Sequence, residues 1–153
     1  MHLAQLNIAR PRFRLEDPRM AGFVDNLDRV NAVAERSPGF VWRLIGDGND
    51  ATDLSFEDDP DVIINMSVWE SGEHLEHFVW NTVHKAIYRR RGEWFPPLGK
   101  PHFVMWHVPA GHEPTLAEAK ARLDHLAANG TSDHAFGWEG LPNLKRWMEE
   151  RCA

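Results

Sequence analysis

Four short stretches of this chain alternate apolar and polar positions with period two, and three longer ones repeat near 3.6, so strands and helices interleave from end to end;. His2–Ala9 places Leu3, Gln5, Asn7 and Ala9 on one face and Ala4, Leu6 and Ile8 on the other, the alternation of a strand;. Asp17-Pro18 then sets an N-cap acceptor before a proline at the first helical position, and Met20, Phe23, Val24, Leu27, Val30, Asn31 and Ala34 hold the helical period until Ser37-Pro38-Gly39;. Phe40–Ile45 and Val62–Trp69, both β-branched and aromatic, predict two further strands;. Ser71 caps a predicted helix over 71–95 that Pro96-Pro97 and Gly99 end;. Phe103–Val108 is the fourth strand, and Thr115 with Glu118 forms a capping box for a helix to Ala128 closed by Asn129-Gly130;.

Between strands two and three lies GDGNDATDLSFEDDPD, seven acidic residues in sixteen, which predicts an exposed hairpin loop. A calcium loop starting at Asp47 fails at its fifth and sixth positions, Ala51 and Thr52, where an oxygen ligand and a glycine are required;. Beyond Gly130, Phe136, Trp138, Leu141, Leu144 and Trp147 make the tail too aromatic for a free linker. We therefore divide the chain into a domain over 1–130 and a tail over 131–153 that packs on the domain or on a partner subunit.

The order βαββαβ with an extra helix predicts an α+β, ferredoxin-like sandwich, an antiparallel sheet with two helices on one face. Strand three carries apolar residues on both faces, so the helix-free face needs cover, and a homodimer packed sheet on sheet supplies it.

Composition narrows the function classes. A net charge of −6 argues against a general phosphate-binding surface, so nucleic acid is not an expected partner;. No segment approaches the roughly 20 apolar residues of a membrane span, and the lone Cys152 offers neither an internal disulfide nor a cysteine-rich metal site, which fits a cytoplasmic protein;. Seven Trp against one Tyr suit the walls of a cavity for an apolar or aromatic ligand, or a dimer interface;.

The helix predicted over 71–95 carries the candidate chemistry. Leu75, Val79, Val83, Ala86, Ile87 and Trp94 form its core face;. Beside them runs a stripe of His77, Trp80, His84, Tyr88, Arg91 and Phe95, apolar bodies with hydrogen-bonding tips, which suits a pocket wall;. His84 is the first candidate for a working residue: an imidazole with a pKa near neutrality can take a proton from a phenol or carbon acid, or ligate iron. Arg91 can stabilise an enolate through its planar fork. Asn7 and Asn65 sit in apolar strands, where a buried amide needs partners and a ligand carbonyl would serve. A divalent-ion site from His74, His77 and Glu73 or His84 lacks a complete ligand pattern;. Neither a G-x-S-x-G elbow nor a phosphate loop is present;.

The segments HLAQLNIAR, DPRMAGFVDNLDRVNAVAERSPGFVWRL, NMSVWES, the run from His84 through RRRGEWF, and VPAGHEPTLAEAKARL resemble a bacterial family of unknown function in the dimeric α-β barrel superfamily. That superfamily also holds antibiotic-biosynthesis monooxygenases and haem-degrading monooxygenases. The resemblance covers residues 1 to 130 and departs from the family in the GTSDHAFGWEG segment that follows. It implies a homodimer and a cavity in which an electron-rich polycyclic phenol lies beside Asn, Trp and Arg side chains and reduces oxygen through its own carbanion, without a bound cofactor. Residues of those types here are Asn7, Asn65, Trp69, Trp80 and Arg91. The haem-degrading relatives use an Asn, a Trp and an axial His, for which Asn7, Trp80 and His84 are the right types. Their Trp precedes the His by about three turns, whereas here the gap is four residues, so haem stays open rather than implied.

Overall fold

In a computed structural model, residues 1–141 are described, the Val83 side chain excepted. Val83 as a core residue, and Leu144 and Trp147 of the tail, lie outside the described set. Strands β1 (His2–Ala9), β2 (Phe40–Arg43), β3 (Ile63–Trp69) and β4 (Phe103–Val108) form an antiparallel sheet of order β2-β3-β1-β4. This is the ferredoxin-like arrangement that the element order predicts. Between the strands run α1 (Ala21–Val24), α2 (Leu27–Arg36), α3 (Gly72–Asn81) and α4 (Val83–Arg89), with α5 (Leu116–Asn129) after β4.

Two predicted helices are broken, by one mechanism. The Thr82 hydroxyl donates to the carbonyl of Phe78, four residues back, the acceptor that the Thr82 N–H would use in a continuous helix;. Thr82 adopts φ −128°, ψ −173°, and its oxygen accepts from the His84 N–H, so one side chain ends α3 and caps α4;. The single helix predicted over 71–95 is therefore α3, α4 and a 3-10 turn at Arg91–Glu93. In the same way the Asn26 side-chain amide donates to the Gly22 carbonyl at 2.7 Å, and α1 ends before α2 begins. Ala86, predicted on the core face, is exposed once the register is reset, whereas Leu75 and Trp94 stay buried.

The sheet has two distinct faces. Ala4, Leu6, Ile8, Ile64, Met66, Val68, Val104, Trp106 and Val108 are at most 5% exposed, packed with Ala119 and Leu123 of α5 and with Phe56 and Val62. A bond of 2.8 Å from the Trp106 indole N–H to Glu118 fastens α5 to β4, and His112 holds the other carboxylate oxygen at 2.6 Å. The cover expected from a second subunit is thus provided by the chain itself. The acidic segment after β2 is correspondingly more than an exposed loop, because its Ala51 and Phe56 are buried while its carboxylates remain outside.

The opposite face meets α2 and α3, through Leu3, Trp69 and Met105 against Ala34, Leu75 and Phe78. The tail begins here too: Phe136 and Met105 exchange backbone hydrogen bonds at 2.7 and 3.0 Å, and Phe136 and Trp138 are buried, so residues 131–141 pack on the chain's own domain.

At the edge of the sheet, Phe40 pairs with Trp69 and Arg43 with Ser67, four residues opposing three, so β2 contains a bulge;. In plain alternation Phe40 and Trp42 would share a face. The bulge sends Trp42 against the α5-side core and turns Arg43 to the side of Phe40.

Candidate functional site

A cavity of about 400 Å³ lies between the sheet and α2, α3 and α4, a volume suited to a small organic ligand;. Strand pairing orders its floor in rows. Phe40, Trp69 and Leu3 lie side by side, then Arg43, Ser67 and Gln5, then Asn65, Asn7 and Phe103. Polar side chains thus occupy the middle of an otherwise apolar sheet face. They are joined: Gln5 Nε2 donates to Asn65 Oδ1 and to Ser67 Oγ, both at 2.8 Å, and Trp69 Nε1 donates to Ser67 Oγ at 2.9 Å. Gln5, Ser67 and Trp69 are buried, whereas Asn65, Pro101 and His102 are exposed, which sets the mouth at the Asn65 end.

The walls are aromatic. Trp69 stacks on Phe78 at 5.2 Å and meets Phe40 edge-on at 5.5 Å. Phe103 stacks on Trp138 at 5.4 Å, and Trp80 meets Tyr88 edge-on at 5.1 Å. His84 closes the roof between Phe78 and Tyr88, with ring centroids at 5.0 and 6.1 Å.

The protonation of His84 follows from its contacts. Its Nδ1 is 3.3 Å from the Val79 carbonyl, and a carbonyl can only accept, so Nδ1 carries the hydrogen and Nε2 presents a lone pair;. Burial among rings disfavours the imidazolium and pushes the pKa down to about 4, against a smaller opposing effect of the Val79 bond;. The pKa near neutrality expected for this residue is therefore corrected by desolvation: His84 is neutral at pH 7.

Of the residues singled out from the sequence, Asn7, Asn65, Trp69, Trp80, His84 and Tyr88 line one cavity. His77, Arg91 and Phe95 do not. His77 is exposed beside Asn81, Arg91 is exposed with its guanidinium 3.9 Å over the Tyr88 ring, and Phe95 packs edge-on against Phe23 at 4.9 Å. The break at Thr82 and the 3-10 turn carry Arg91 and Phe95 off the stripe that a continuous helix would make, whereas His77, ahead of the break, lies on the exposed side of α3. Asn65, expected to be buried, stands at the mouth.

Gln5, Ser67, Arg43, Phe103 and Trp138 were missed as lining residues. Gln5 shares a predicted strand face with Asn7, which was the available signal. Among the described residues no three His, Cys, Asp or Glu side chains are placed to hold a metal ion, and the His74 ring is engaged with Ser71 at 2.8 Å. No described helix is long and apolar enough to cross a membrane.

The sequence profile of a family described as a domain of unknown function, DUF3291, matches residues 2–152, the tail included. No curated protein matches the chain. Similar solved structures include SnoaB of Streptomyces nogalater, a cofactor-independent oxygenase, at 15% identity and TM-score 0.50, covering 76% of this chain and 98% of that one. Rv0793 of Mycobacterium tuberculosis is 15% identical at TM-score 0.51, over 74% of this chain and all (100%) of that one. A Nitrosomonas europaea protein, a candidate antibiotic biosynthesis monooxygenase, is 14% identical at TM-score 0.52, over 73% and 94%. At such identities the likeness is one of fold.

Proposed function

Because the chain belongs to the DUF3291 family, whose description assigns no activity, we propose its function from the cavity: a small-molecule enzyme that takes an apolar or aromatic metabolite and removes a proton from it. The observation that carries this reading is the neutral His84, whose Nε2 lone pair is left free by the Nδ1 bond to Val79, in the roof of a cavity floored by amides. A flat, electron-rich ring system lies between the aromatic walls. His84 Nε2 takes a proton from its acidic carbon or phenol, and the Asn7 and Asn65 amides face the charge that develops on the substrate oxygen, with Gln5 holding Asn65 in place through its bond to Oδ1;. An imidazole whose pKa is about 4 is a weak base in the empty cavity. The anion formed beside it stabilises the imidazolium and pulls that pKa back up. Arg91, exposed on Tyr88, has no part in this arrangement.

Oxygenation completes the proposal. The substrate carbanion reduces O2 directly, a CH2 becomes C=O, one oxygen atom enters the product and the other leaves as water, so no cofactor is consumed. The fold likeness to a cofactor-independent oxygenase supports this step. The test is oxygen uptake with hydroxyanthrones and related polycyclic phenols. Turnover by the wild type that falls about 10²-fold or more in a folded His84→Ala variant supports the assignment, and full activity in that variant overturns it.

The second reading is a non-catalytic haem or small-ligand binder, and the same His84 geometry favours it, since an imidazole ligates through one nitrogen while the other donates to a carbonyl;. A haemin titration separates the two. A saturable Soret shift, one per subunit, that is lost in His84→Ala moves the function to haem, and no shift leaves the cavity to an organic substrate. We also propose that the chain is a cytoplasmic homodimer. With the α5-side face already closed, pairing would use the β2 edge, where Val41 and Ile45 are exposed.

A further inference from the structure

Resting on the reading of the cavity as a ligand site, we propose that Arg43 forms an anion subsite in it, so that the ligand is an aromatic or apolar acid bearing a carboxylate. Arg43 lines the cavity from the edge strand, and its side chain is 6% exposed. A buried guanidinium is costly unless its five donors find good acceptors. The partners of Arg43 are poor ones: Glu35 Oε1 lies 3.4 Å from Nε and 3.3 Å from Nη2, and Asn49 Oδ1 lies 3.3 Å from Nη2. All three contacts are beyond the usual 2.7–2.9 Å of a charge-assisted bond, and the Glu35 side chain is itself 47% exposed. None of these bonds uses Nη1. The planar fork of an arginine suits a carboxylate through two parallel bonds.

Placement agrees with this. The bulge in β2 brings Arg43 beside Ser67, in the floor row that continues to Gln5. Arg43 and the amides of Gln5, Asn7 and Asn65 therefore occupy one surface, a cation at the sheet edge and neutral hydrogen-bonding groups toward the mouth. A rigid acid would put its carboxylate at Arg43 and its ring system under Phe78, Trp80 and His84. Glu35 then acts as the competitor the ligand displaces, and it keeps the guanidinium neutralised in the empty protein.

The experiment is calorimetric titration of the full chain with 2-naphthoate and with 2-naphthamide, which match in shape and differ in charge. The wild type should bind the carboxylate about tenfold or more tightly than the amide. Arg43→Gln should abolish that preference while leaving the affinity for the amide within about twofold. If Arg43→Gln fails to fold, Glu35→Gln serves: it removes the competitor from a half-exposed position and should strengthen carboxylate binding several-fold. Equal affinity for both probes in the wild type, or unchanged or weaker carboxylate binding in Glu35→Gln, overturns the anion subsite and leaves the cavity reading standing. Binding of neither probe at millimolar concentration overturns the cavity reading and the subsite with it.

Discussion

Ser67→Ala tests whether the floor of the cavity is held by its polar network. The Ser67 oxygen accepts from Trp69 Nε1 at 2.9 Å and from Gln5 Nε2 at 2.8 Å. Its loss leaves the indole N–H of a fully buried Trp without an acceptor, at about 1–3 kcal/mol for an unsatisfied buried donor. Gln5 keeps its bond to Asn65 and lines the cavity, where water can replace the second acceptor, so its share is smaller. We expect a total of about 2 kcal/mol, or roughly 4–8 °C in Tm for a chain of this size. Urea denaturation at pH 7 measures it, and a double-mutant cycle identifies the cause. Trp69→Phe removes the donor, so in the Ser67→Ala background it should cost about 1–2 kcal/mol less than in the wild type, because replacing both partners orphans nothing. A coupling below about 0.5 kcal/mol would refute the reasoning, since the serine would then be packing rather than bonding.

His84 makes stability depend on pH. Its folded pKa of about 4 lies below the unfolded value near 6.5, so the unfolded chain binds more protons between them, and stability falls as pH drops from about 6.5 to 4;. The full loss is up to about 3 kcal/mol, less if cavity water reaches the imidazolium, and urea midpoints for the wild type and His84→Phe at pH 5 and pH 7 should show it shrinking in the variant. Thr82→Val removes both the bond to Phe78 and the cap on α4 at nearly constant shape, and should cost about 1–2 kcal/mol, with faster amide exchange over residues 83–89;. Gly39 sits at φ +81° with the His74 side chain where a Cβ would go, so Gly39→Ala should destabilise by about 2 kcal/mol or more in thermal melts;. Sedimentation at micromolar concentration tests the homodimer, and a monomer there would remove it.

Much of the fold was legible because it is written in local periods. Alternation gave β4 its ends, and the Thr115 and Ser71 caps mark where α5 and α3 begin. The helix breaks were not legible, because whether Thr82 or Asn26 points outward or turns back onto the i−4 carbonyl is decided by the surroundings, not by the residue;. In the site, Trp80, His84 and Tyr88 were found because they keep close spacing across the break, whereas Arg91 and Phe95 were misplaced because errors of register accumulate along a helix. Gln5 and Ser67 read as ordinary strand residues. Their role depends on which strands become neighbours, a property of β1 and β3 together, sixty residues apart.

The bulge at the edge strand also bears on how relatives of this chain should be compared. Arg43 faces inward because one extra residue, between Phe40 and Trp42, is absorbed there. At the same length with plain alternation, the indole of Trp42 would turn in and the cation out. One residue shorter, the strand would need no bulge and would still point an arginine inward. What such a strand offers a ligand is therefore set by the number of residues separating its first aromatic from its arginine taken together with any bulge that absorbs one of them, as much as by identity;. Two related chains with the same residue types here present the same chemistry to their ligands if an inserted residue is absorbed in a bulge and opposite chemistry if it is not, a distinction that a column-by-column tally of substitutions would overlook;.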